Sequence, residues 1–124
     1  MNPKYEALFA PWKIGNVEIK NRIVMCPMGG TSLFGWFELG GCHFDKEAAK
    51  LFLERANNNV GLIIPGIAPL RDTFWGKWLW QNPKMFEDLK EFMDEIHKTG
   101  AKLFVQLTAG MGRSWAITEL VAPL

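Results

Sequence analysis

The stretch Val60-Gly-Leu-Ile-Ile-Pro-Gly-Ile-Ala-Pro69 carries a strand signal from which the rest of the chain can be read. Gly61 to Ile64 is a short, continuously apolar run closed by Pro65 and Gly66, the form of a strand buried on both faces. Two further segments have the same form. Upstream is Asn21-Arg-Ile-Val-Met-Cys-Pro-Met-Gly-Gly30, and downstream is Ala101-Lys-Leu-Phe-Val-Gln-Leu-Thr-Ala-Gly-Met-Gly-Arg113. Each apolar run ends in small, polar or turn-forming residues. In a parallel barrel such a run is the buried strand, and its C-terminal tip faces the active site. Chemistry is therefore expected at these three tips.

Helices are expected between the strands. Asp45 can cap a helix with Glu47 in its first turn, and Ala48, Leu51, Phe52 and Ala56 follow at helical spacing up to Asn57-Asn-Asn59. Asn82-Pro83 is a strong helix start, with Asn as cap and Pro at the first helical position. Met85, Leu89, Phe92, Met93 and Ile96 form the apolar stripe, and Gly100 is the natural stop. Upstream of everything, Trp12 to Ile19 alternates around Gly15-Asn16 and reads as a β-hairpin. Ile23 to Met25 begins the first buried strand, Pro65 and Gly66 end the second, and Lys102 to Leu107 is the third.

The order hairpin, β, α, β, α, β argues for a parallel sheet. A closed (β/α)8 barrel takes about 250 residues. This chain has 124, so the expected fold is α/β: the N-terminal portion of a TIM barrel, about three strands and two helices, preceded by a short hairpin. Residues 1–124 are read as one partial barrel domain. An open sheet of three strands would leave edges uncovered, so the chain is expected to be a fragment of a longer protein or to complete its core with partners.

Composition narrows the class. With 48% hydrophobic and 22% charged residues the chain is that of a soluble globular protein. A net charge of +1 gives no electrostatic case for nucleic acid or an anionic membrane. No apolar stretch is long enough to span a bilayer, and the N-terminus lacks a signal peptide's apolar segment, so a cytoplasmic setting is expected. Cys26 and Cys42 form no metal-ligand pattern; Cys26 is expected to be a buried, inert thiol. Five of the six tryptophans, Trp36, Trp75, Trp78, Trp80 and Trp115, fall in segments read as loops after strands. They either line a pocket for a flat apolar ligand or pack the loops onto the domain.

The pattern Leu8-Phe-Ala-Pro…Ile14-Gly-Asn-Val…Lys20-Asn-Arg-Ile-Val-Met-Cys-Pro-Met28 resembles the start of the old yellow enzyme family, FMN-dependent NAD(P)H:flavin oxidoreductases and ene-reductases. Gly61-Leu-Ile-Ile-Pro-Gly and Lys102-Leu-Phe-Val-Gln-Leu…Gly112-Arg113 follow in the family's order. Ile67-Ala-Pro69 is similar to the longer 2,4-dienoyl-CoA reductase, 2-enoate reductase and bile-acid or steroid reductase types.

The resemblance implies site residues. Pro27, Met28 and Gly29 would lie against the flavin, Gly66 would let the ring approach the strand, and Gln106 would hydrogen-bond its pyrimidine edge. A carboxamide suits that edge because it offers both donor and acceptor. Gln106 could instead satisfy a neighbouring loop. Trp36, His43 and Arg113 are candidates for substrate contact; a loop salt bridge is the alternative for Arg113. The chain departs from the family in two places. Many relatives carry Thr, Cys or His near Gly29, which itself has no side chain to bond the flavin, and Thr108-Ala-Gly-Met-Gly112 lacks the His common before Gly-Arg.

The function implied is hydride transfer from NADH or NADPH through FMN to an activated C=C bond of an enoate, enone or enoyl thioester. The acid and the phosphate site would come from later strands, so this chain is expected to be inactive alone. A 4Fe-4S and FAD module, present in several relatives, would lie beyond Leu124. The partners implied are a small unsaturated carbonyl or acyl-CoA substrate and a homo-oligomer. The alternative is a non-catalytic domain that assembles through its open sheet edge. An aldolase-type barrel has no lysine at a strand tip to support it, since Lys102 starts its strand.

Overall fold

The computed structural model describes residues 3–28, 33–34, 43–69 and 81–108. A 3-10 turn (Pro3–Tyr5) and a four-residue helix α1 (Glu6–Phe9) lead into strands β1 (Trp12–Ile14) and β2 (Val17–Ile19). These pair antiparallel with Ile14 opposite Val17, so Gly15-Asn16 is the two-residue turn that the alternation predicts. Lys13 lies opposite Glu18, which adds an attractive cross-strand pair.

The barrel part follows as β3 (Val24–Met25), α2 (Lys46–Asn57), β4 (Leu62–Ile63), β5 (Ile67–Pro69), α3 (Pro83–Lys98), β6 (Lys102–Leu103) and β7 (Gln106–Thr108). Strands β3, β4 and β6 form one parallel sheet in that order, and β5 pairs with β7, also parallel. Thus β4 and β5 are two halves of one barrel strand, and β6 and β7 are two halves of the next. This corrects one expectation: Pro65 and Gly66 do not end the second strand. They interrupt it, and pairing resumes at Ile67.

The core lies between the sheet and the two long helices. Ala49, Phe52 and Ala56 of α2 meet Met85, Phe92 and Ile96 of α3 over Ile63, Ala68 and Ala101, with Met25 and Leu103 packed against them. Ala49 rather than Ala48 or Leu51 points straight into this layer. Burying a side chain such as Phe52, 1% exposed, contributes about 1.5–3 kcal/mol. The α3 stripe is as predicted, with Leu89 and Met93 half-buried at its flanks. Phe44, just before α2, stacks in a tilted geometry on Phe92 with ring centroids 5.7 Å apart.

The helix ends follow their capping chemistry. Asp45 Oδ1 accepts hydrogen bonds from the Glu47 and Ala48 amides, both 2.9 Å. Pro83 opens α3 as expected, but Asn82 does so with its backbone: its carbonyl accepts from Met85 N (3.1 Å), while its side chain makes no cap bond. At the far end Lys20 Nζ donates to the Thr99 carbonyl at 2.8 Å, a cation at a helix C-terminus. Burial holds the Lys20 ammonium below its usual lysine range.

Cys26 is a second correction. It is exposed. Met25 points toward the helices, so Cys26 points to the opposite face of β3, and β3 is the edge of its sheet. Leu62, on that same opposite face but in the central strand, is only 4% exposed. No helix of the described residues is long and apolar enough to cross a membrane.

Candidate functional site

The strand tips converge at one end of the sheet. Met25 pairs with Ile63, and Ile64 N donates to the Met25 carbonyl at 3.0 Å. Two residues further along each strand, Pro27-Met28 and Pro65-Gly66 therefore stand at the same height. Pro27 is half-buried, and Met28 is 51% exposed.

The bulge in the second strand brings the next pair together. Three residues separate Ile63 from Ile67, but two separate their partners Leu103 and Gln106. The second strand thus carries one extra residue, a β-bulge. Gly66 N donates to the Ile64 carbonyl at 2.9 Å, an i→i+2 bond that makes Pro65 the centre of an inverse γ-turn. Gly66 then has φ 83°, a left-handed conformation that glycine adopts without steric cost. The next residue, Ile67, is the direct partner of Gln106. Gly66 and Gln106 are consequently neighbours across the sheet.

The extra residue also reverses the side-chain alternation. Ile63 and Ala68 both belong to the core under the helices, although five positions apart they would face opposite ways in an unbroken strand. Ile67 is therefore turned to the inner face together with Gln106. The Gln106 side chain is exposed and makes no hydrogen bond among the described residues. Its carboxamide presents a donor and an acceptor at the mouth of the sheet.

The segment after the first strand docks on the bulge. Leu33 N donates to the Pro65 carbonyl (3.1 Å), Asp45 N to the Leu33 carbonyl (3.0 Å) and His43 N to the Phe34 carbonyl (3.2 Å). Leu33 and Phe34 are buried, at 0% and 2% exposure. They plug the space between bulge and helix and carry half-buried His43 to the N-terminal end of α2, the same end as the strand tips.

Of the residues singled out from sequence, the structure brings together Pro27, Met28, Gly66 and Gln106, with His43 at the adjoining rim. Gly29, Trp36 and Arg113 lie outside the described residues, as do Cys42 and the tryptophans from Trp75 to Trp80 and at Trp115. Ile67 and the Leu33-Phe34 plug were not anticipated. A Pro-Gly pair inside an apolar run is the signal for a bulge, and it would have pointed to Ile67. A separate groove of about 430 Å³ runs between α2 and α3, lined by Lys46, Lys50, Glu87, Glu91 and Glu95 over Leu53 and Phe92. It lies on the helix layer, away from the tips. Among the described residues, no three His, Cys, Asp or Glu side chains gather as a metal site.

Comparison with known proteins gives this arrangement a family. Residues 7–121 match the NADH:flavin oxidoreductase / NADH oxidase family. The chain is 36% identical over 120 residues to a cinnamate reductase of Clostridium sporogenes, covering 91% of this chain and 17% of that protein. It is 30% identical over 120 residues to an NADPH dehydrogenase of Listeria welshimeri, covering 94% of this chain and 34% of that protein. The crystal structure of an old yellow enzyme from Pichia sp. AKU4542 superposes with a TM-score of 0.65 at 26% identity, covering 87% of this chain and 27% of the other. The chain thus spans about a sixth to a third of the length of these relatives. On the extent of the match and the shared order of strands and helices, the chain belongs to the NADH:flavin oxidoreductase / NADH oxidase family, and its fold is an N-terminal portion of that family's (β/α)8 barrel.

Proposed function

We propose that this chain supplies the first strands of an FMN-binding barrel in an oxidoreductase that passes hydride from NADH or NADPH to an activated C=C bond. The observation that carries the reading is the bulge that sets Gly66, with φ 83°, beside the carboxamide of Gln106, unpartnered among the described residues, at the strand tips. These residues fit a flavin edge. Gly66 has no Cβ to obstruct a flat ring. Gln106 can donate to and accept from the ring's pyrimidine edge at once. Pro27 and Met28, with Gly29, would contribute backbone contact from the first tip. Bound there, FMN would supply two-electron hydride chemistry. His43 at the rim, together with Trp36 and Arg113, is assigned to substrate contact.

The substrate class proposed is a small molecule with a C=C bond conjugated to a carbonyl, as an unsaturated acid, enone or enoyl thioester. The likeness to a cinnamate reductase supports it, and the likeness to an NADPH dehydrogenase supports a nicotinamide reductant. The groups that polarise the carbonyl and protonate the alkene are assigned to the rest of a longer protein, so the 124 residues alone would not turn over.

A flavin-fluorescence titration of the chain with FMN, followed by NADPH and cinnamate under anaerobic conditions, tests this. The expected result is FMN uptake without alkene reduction. No uptake overturns the flavin assignment, and reduction by the chain alone overturns the division of labour.

A further inference from the structure

We propose that Pro65 is a positioning residue for the flavin-facing pair Gly66 and Gln106. The inference rests on the flavin reading above and adds a residue to it. Pro65 is less than 2% exposed, so it acts through the backbone it shapes.

Up to Ile64 the second strand keeps a regular ladder with the first: Leu62 N donates to the Ile23 carbonyl (3.3 Å) and Ile64 N to the Met25 carbonyl (3.0 Å). Continuation would send Gly66 N to the Pro27 carbonyl. The γ-turn redirects it to the Ile64 carbonyl instead, at 2.9 Å. On the other side, Lys102 N donates to the Gly61 carbonyl and Phe104 N to the Ile63 carbonyl, both 2.9 Å. Continuation would send Gln106 N to the Pro65 carbonyl. That carbonyl is instead turned to Leu33 N, at 3.1 Å. One residue therefore releases the strand from both neighbours and inserts the extra position. Pairing then resumes with Ile67 and Gln106 on the inner face.

Proline is suited to this place for two reasons. Its φ is fixed near the value an inverse γ-turn needs, and it has no N–H to draw the segment back into the ladder. An alanine would restore the N–H and relax φ. Both changes favour the regular register, in which Gly66 loses its left-handed turn and Ile67 faces away from Gln106.

The test is Pro65→Ala in the FMN-titrated chain, with Phe92→Leu in α3 as a control that loosens the core away from the tips. Bound-flavin fluorescence and absorption maximum are read well below each variant's melting temperature, alongside amide hydrogen exchange at Gly66 and Leu33. The expected result is an FMN dissociation constant raised about tenfold in Pro65→Ala, with a shifted flavin band and faster Gly66 exchange. Phe92→Leu should lower the melting temperature while leaving affinity and band unchanged. Equal affinity and band in Pro65→Ala and the parent chain overturns the proposal, as does an equal loss in Phe92→Leu. If the parent chain takes up no FMN, the flavin reading fails separately. The positioning claim then stands or falls on whether Pro65→Ala speeds Gly66 exchange.

Discussion

Asn21 Oδ1 occupies the space that a Cβ on Gly61 would need. Asn21 is 3% exposed and cannot give way, because three contacts lock it. Its Nδ2 donates to the Asn59 carbonyl (2.7 Å), its Oδ1 accepts from Ile23 N (3.0 Å), and its backbone carbonyl accepts from Trp12 Nε1 (2.7 Å). One buried residue thus ties the first strand to the entry of the second through its side chain, and the hairpin to both through its carbonyl, at the end of the sheet opposite the site.

Gly61→Ala should therefore destabilise the chain by about 1–3 kcal/mol, measured by urea unfolding. Asn21→Ala should cost about 2–3 kcal/mol by stranding Asn59 O and Ile23 N. The two together should cost less than their sum, since removing Asn21 makes room for the new methyl. Strict additivity would contradict the contact.

Asp45→Ala removes the acceptor for two amides of α2 and should cost about 1 kcal/mol, read as a lower urea midpoint at unchanged slope. Asp45→Asn should recover most of it. An equal loss in both variants would point to charge rather than to the cap.

Gln106→Leu should weaken FMN binding about tenfold, the worth of a lost hydrogen-bonding edge of about 1.4 kcal/mol, with little effect on unfolding because the side chain is exposed. A variant that unfolds more readily but binds FMN as before would return Gln106 to a structural role.

Lys20 gives a pH dependence with a definite sign. Its folded value is pushed below 10.5 by desolvation, so between that lowered value and 10.5 the unfolded chain holds more protons than the folded one. Stability from this group therefore rises with pH across that window. Lys20→Met lacks the ionisable group, so the stability difference, parent minus variant, should grow as pH rises toward 10.5. A difference that shrinks would contradict the assignment.

Local chemistry was legible in the sequence where it is self-contained. The Gly15-Asn16 turn, the Asp45 cap, Pro83 at the start of α3 and the α3 stripe all rest on residues within a few positions of one another. What escaped depends on neighbours across the sheet. Pro65-Gly66 looks like a strand end because proline cannot donate and glycine permits a turn. Only the register against Leu103 and Gln106 shows that pairing resumes. Cys26 looks buried because its strand is apolar throughout, but an edge strand among these residues leaves one face open. At the site, Gln106 stood out as the polar residue in an apolar run. Ile67 did not, because its inward orientation follows from the bulge.

The most direct test of the central claim is an NMR titration of the isotope-labelled chain with FMN, followed at the backbone amides. Gly66, Ile67 and Gln106 are expected to shift together and Met28 to follow, while the α2–α3 groove stays still. Shifts confined to the groove residues, or none at Gly66 and Gln106 at saturating FMN, would contradict it.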